Sequence, residues 1–199
     1  AEIRMELALA DWRFDEPIDE ARFNYEPADG ATQAASYGEL LEARQGGDPA
    51  DQLAGQRAPG FKLEQLAGGE VDLADHLGED IVILDFWATW CGPCVQTMPI
   101  YQRIMEDYAD RNVQIYAINL QEGEDQVVAF LEEHELALPV LFDRQGRVAR
   151  DYHARAIPQS VLIGPDGTVQ AVHVGAIPTL EEQLRRELDT LLAGDSLVE

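Results

Sequence analysis

The sequence predicts an α/β fold over residues 55–199, and three observations carry that prediction. Short apolar runs of strand length alternate with segments whose apolar residues recur at helical spacing. A Gly-Pro-Asp-Gly turn then joins two further strand-like runs before a last amphipathic segment.

The elements follow in order. "IVILDFWA" at 81–88 is rich in β-branched and aromatic residues, as a strand buried on both faces should be. Tyr101, Ile104, Met105 and Tyr108 then fall at i, i+3, i+4 and i+7, which marks a helix with one apolar face. "VQIYAINL" at 113–120 reads as a second buried strand. In "EDQVVAFLEEHEL", Val127, Phe130, Leu131 and His134 share a helical side. "SVLIGPDGTVQAVHVG" gives two strands joined at Gly164–Gly167. "TLEEQLRRELDTLL" closes the chain with Leu180, Leu184, Leu188 and Leu191 as a stripe, and Thr179 and Glu182 have capping-box spacing. The predicted order is β-α-β-α-β-β-α.

Residues 1–54 have a different texture. "IRMELALADWRF" alternates well enough for a strand, and "RQGGDPADQLAGQ" reads as a linker. The opening residues have neither a basic start nor an uninterrupted apolar core, so they do not form a signal peptide, and a processed or recombinant fragment is expected. The expected division is therefore an extension or linker over 1–54 and one domain over 55–199.

Composition excludes several functions. The 199 residues hold 38 Asp and Glu against 14 Lys and Arg, a net charge of −24. A nucleic-acid binder needs a clustered basic face, and an anionic membrane surface would repel such a chain. No apolar run reaches the roughly 18 residues of a membrane span.

Chemistry concentrates in "WATWCGPC" at 87–94, which holds the two cysteines of the chain, Cys91 and Cys94. A zinc site needs four ligands, usually as two close pairs, and neither a second such pair nor histidines at ligand spacing are present. A structural disulfide over so short a loop stabilises little. A redox pair suits the stretch better: a helix starting at the cysteines turns its free N–H groups and positive dipole end toward the first sulfur. Cys91 is then the exposed nucleophile, and Cys94 resolves the mixed disulfide. Gly92 leaves room for the substrate, and Pro93 sits where a missing N–H costs nothing.

"DFWATWCGPC" resembles the active site of the thioredoxin superfamily. The longer stretch from "GQRAPGFKL" to the cysteines is similar to extracytoplasmic thiol–disulfide oxidoreductases of the TlpA/ResA type, over about residues 55–193. The resemblance implies a thioredoxin fold, a mixed central sheet flanked by helices, with a TlpA/ResA-type helical insert and an N-terminal extension. It implies that Asp85 is a buried acid of raised pKa that shuttles protons for Cys94, and that Glu122 lies near the active site, although a solvated helix start explains Glu122 equally well. It also implies a cis bond at Ile157-Pro158, with Ile157, Pro158, Trp90 and the Gly175 loop forming the client-binding surface. Ile177-Pro178 should be trans. No cofactor or metal is implied beyond the cysteine pair. The implied partners are disulfide-bearing client proteins, including apocytochrome c, and a membrane or thioredoxin-type electron donor, all outside the cytoplasm.

Two rivals remain open. "APGFKL" also opens peroxiredoxin-like peroxidases, but those require a Thr three residues before the reactive Cys, where this chain has Ala88. A non-catalytic binding module is the other. "MELALADWRFDEPIDEARFNYEPADGATQ" weakly resembles the closing strands of LolA-like or DUF2092-type domains.

Overall fold

The computed structural model describes residues 51–198, and the LolA-like stretch lies outside them. Seven strands form one sheet in the order β2-β1-β5-β4-β3-β6-β7. They are β1 (Lys62–Gln65), β2 (Glu70–Asp72), β3 (Ile81–Trp87), β4 (Val113–Leu120), β5 (Val140–Asp143), β6 (Gln159–Ile163) and β7 (Val169–Val174). The central trio β3, β4 and β5 is parallel, while β1, β2, β6 and β7 pair antiparallel at the flanks. The helices are α1 (Gly92–Asp107), α2 (Glu124–Glu133), α3 (Arg147–Asp151) and α4 (Leu180–Leu192).

The strand period of two sorts β3 between two cores. Ile81, Ile83 and Trp87 face one core, with Met98 and Ile104 of α1, Val127 and Phe130 of α2, and the leucines of α4. Val82, Leu84 and Phe86 face the other, under Val148 and Ala149 of α3 and Tyr152 beyond it. Asp85 belongs by parity to the first face, the one that carries the cysteines. Leu184 of α4 is fully buried there. Leu184→Ala is expected to cost about 2–5 kcal/mol through lost burial and the cavity left behind, read as a lower urea midpoint.

The expected elements are all present, and four more appear. The β1–β2 pair, β5 and α3 interrupt or precede the expected order. The domain also begins slightly before residue 55. Leu53 is buried, and the Gly55 N–H donates to the Val169 carbonyl at 2.8 Å. At the other end, Thr179 is the N-cap of α4, but its side chain makes no capping hydrogen bond. Its backbone lies at φ −100°, ψ 14°, outside the extended conformation that aims a cap oxygen at the first turn, and Glu182 is drawn to Arg186 instead.

Candidate functional site

The chain leaves β3 at Trp87, turns through Ala88–Trp90 and enters α1 with Cys91 as its N-cap. Cys91 is extended, and its Sγ accepts the Cys94 N–H at 3.2 Å. That N–H is one of the orphan donors of the helix start, so the first sulfur sits where the partial positive charge of the helix is concentrated. Pro93 lies in the first turn, and Cys91 and Cys94 form a disulfide.

The exposure expected for Cys91 needs correction. Cys91 retains 4% of its surface and Cys94 none, because the loop folds Cys91 into the core beside Trp87 and Met98. The exposed group is Trp90, at 72%.

Asp85 is completely buried on the same face as Cys94 and Tyr101. Burial pushes its carboxyl up from 3.8 to about 8, and the nearby Tyr101 hydroxyl pulls it back slightly without reaching hydrogen-bond geometry. Both carboxyl oxygens lack a partner, as does the hydroxyl of Ser160, which is paired with Asp85 across β3 and β6. Sequence reasoning missed Tyr101 and Ser160 as neighbours of this acid, since only the register and the helix packing bring them there.

The bond between Ile157 and Pro158 is cis. Phe86 pairs with Gln159, so this loop enters the sheet level with the end of β3. Among the described residues, neither the Ile157 N–H nor its carbonyl takes a hydrogen bond. Gly175 donates its N–H to the Pro158 carbonyl at 2.7 Å from a backbone at φ +85°, a conformation that favours glycine. Pro158 and Gly175 are thus brought together, as expected. Among the described residues no other peptide bond is cis, Ile177-Pro178 included.

Glu122 is a clamp on the loop before Cys91. It accepts the Thr89 N–H at 2.8 Å, the Thr89 hydroxyl at 2.6 Å, the Asn119 amide at 2.7 Å and the Gln126 amide at 2.7 Å. Thr89 is 33 residues upstream, and no sequence signal links the two. With both oxygens engaged, the arrangement suits a positioning role better than proton transfer. Glu122→Ala is expected to cost on the order of 2 kcal/mol and to slow exchange. Glu122→Gln should lose nearly as much, because an amide turns donors toward donors. Urea midpoints and exchange rates for both variants check this.

His134 caps the end of α2, with its ring stacked on Phe130 at 4.2 Å between centroids. Among the described residues, no cluster of three or more His, Cys, Asp or Glu could hold a metal, and no helix is long and apolar enough to cross a membrane.

Comparison with known proteins agrees with this geometry. Residues 54–172 match the AhpC/TSA family. The thioredoxin-like protein YneN of Bacillus subtilis is 36% identical over 138 residues, 68% of this chain and 79% of that protein. The thiol-disulfide oxidoreductase ResA of Geobacillus kaustophilus is 34% identical over 137 residues, 69% of this chain and 77% of that one. The crystal structure assigned to a thiol:disulfide interchange protein DsbE from Chlorobium tepidum superimposes with a TM-score of 0.65 at 35% identity, covering 70% of this chain and 97% of that one. The structure of StoA from Bacillus subtilis gives a TM-score of 0.56 at 27% identity, with 65% and 96% covered. With a Cys-Gly-Pro-Cys disulfide at the head of α1 and a thioredoxin-like sheet beneath it, the chain belongs to the AhpC/TSA family and is a thiol–disulfide oxidoreductase.

Proposed function

We propose that this protein reduces disulfides of extracytoplasmic client proteins by dithiol–disulfide exchange through Cys91 and Cys94, with no cofactor besides that pair. The observation that carries the reading is the placement of a cysteine pair at a helix N-terminus, on the same core face as a sealed carboxyl whose pKa is pushed up to about 8. The extracytoplasmic setting rests on the resemblance to the TlpA/ResA type.

In the reduced protein the Cys91 thiolate attacks one client sulfur. The Cys91–client bond forms, the client S–S bond breaks, and the departing client thiolate takes a proton from water. Asp85, in the minor fraction that is ionised near neutral pH, accepts the Cys94 proton. A base with a pKa near the working pH is well matched to that transfer. The Cys94 thiolate then attacks the Cys91 sulfur and releases the second client thiolate, which is protonated in turn. The client gains two electrons, and the protein is left as the Cys91–Cys94 disulfide. A membrane or thioredoxin-type donor restores the dithiol. Trp90 and the free Ile157 backbone form the surface on which an extended client strand lies.

Insulin reduction with dithiothreitol tests the reading. Acceleration over the reductant alone is expected, whereas its absence would favour a binding module. Rapid peroxide consumption by the isolated reduced protein would favour a peroxidase instead, against the Ala88 that stands three residues before Cys91.

A further inference from the structure

Most basic side chains among the described residues lie within 4 Å of a carboxylate, as a chain with 38 acids and 14 Lys and Arg would lead one to expect. Arg57, Arg150 and Arg155 do not. Arg57 lies in the field of Asp166. Arg150 and Arg155 both line one cavity of about 520 Å³, together with His153, Gln121 and Leu120. Among the described residues, no acidic side chain lines it.

The pocket lies at the end of the sheet from which β3 runs on to the cysteines. Trp87 pairs with Asn119, so Leu120 and Gln121 extend β4 at the end of the sheet where β3 runs on into the Cys91 loop. The opposite wall comes from α3 and from the segment that leads to the cis bond at Pro158. Buried Asp143 anchors the start of α3 by accepting the Arg147 N–H at 2.9 Å and the Ala149 N–H at 2.8 Å. Arg150 is steadied by donating to the Gln145 carbonyl at 3.0 Å. The carboxylate of Asp151 is engaged by Arg147, so among the described residues the two arginines of the pocket carry charge that no carboxylate pairs.

Ile157 connects the two sites, since it packs against both cores, one holding the cysteines and the other underlying the pocket. A client strand paired with the Ile157 backbone continues past Ala156 and Arg155. At about 3.3 Å per residue, side chains a few positions from its reacting cysteine arrive at the pocket.

We propose that this pocket is a specificity subsite for the carboxylate side chain of an Asp or Glu flanking the client's reactive cysteine, held by Arg150 and Arg155. The proposal rests on the client-reduction reading above. Guanidinium forks suit carboxylates in bidentate geometry. The strongly negative remainder of the protein opposes acidic clients at long range, so the subsite selects a local carboxylate rather than an acidic partner as a whole.

The test measures rate constants for the reduced protein with two disulfide peptides that differ only in Glu or Gln a few residues from the cysteine, the spacing that reaches the pocket. The wild type is expected to favour the Glu peptide about five- to tenfold, a preference that shrinks as salt rises. In the Arg150→Gln, Arg155→Gln double variant the ratio should fall to about one. Equal rates with the wild type, or a preference that survives in the double variant, would overturn the proposal while leaving client reduction intact. Absence of exchange with either peptide would overturn both.

Discussion

Asp85→Asn protein is expected to be more stable than the wild type at pH 7 and to lose the decline in stability that the wild type shows between about pH 4 and pH 8. Asp85 is fully buried, and burial raises its pKa from 3.8 to about 8. Between those values the folded state holds the proton and the unfolded state does not. The folded state therefore binds more protons, and stability falls as pH rises, by about 1.4 kcal/mol per pH unit for this one group. The contribution is complete below pH 4, has lost roughly 4 kcal/mol by pH 7, and levels off above about pH 8. An asparagine has no proton to lose, so the difference between the two urea-unfolding profiles isolates Asp85 from every other titrating group. Profiles that stay parallel across this range would show that the carboxyl is not held neutral. The same substitution removes the base for Cys94, and resolution should slow by on the order of a hundredfold at neutral pH. A destabilising acid retained in the core is intelligible as a site where stability is given up for chemistry.

Cys91→Ser is expected to abolish insulin reduction, by at least about a thousandfold, with little effect on the fold. A serine oxygen is a much weaker nucleophile toward sulfur than a thiolate. Yet serine is a favoured N-cap, and its Oγ can accept the Cys94 N–H that the sulfur now takes at 3.2 Å. The lost disulfide closes so short a loop that its entropic contribution is small. Activity within tenfold of the wild type, in protein shown to be folded by circular dichroism, would move the nucleophile elsewhere.

What was legible in the sequence follows from the range of the interactions involved. The runs over 81–88 and 113–120 are buried on both faces and announce themselves by composition, and Asp85 stands out because it breaks one of them. Lys62–Gln65 and Glu70–Asp72 are short, charged and partly exposed, so no apolar pattern marks them. Val140–Asp143 is buried but only four residues long, too brief for a periodicity. The cysteine pair and the cis bond at Pro158 were legible because local motifs carry them. The job of Glu122 was not, since its partner Thr89 arrives by the parallel packing of β3 and β4. Arg150 and Arg155 become a pair only when α3 and the following loop fold over the end of β4.

The division of labour between the cysteines is the central claim, and trapping tests it most directly. Reduced Cys94→Ser protein incubated with oxidised client proteins is predicted to accumulate mixed disulfides through Cys91, visible on non-reducing gels and located by mass spectrometry, while Cys91→Ser protein accumulates none. Mixed disulfides through Cys94 in the Cys91→Ser variant, with none in Cys94→Ser, would contradict it.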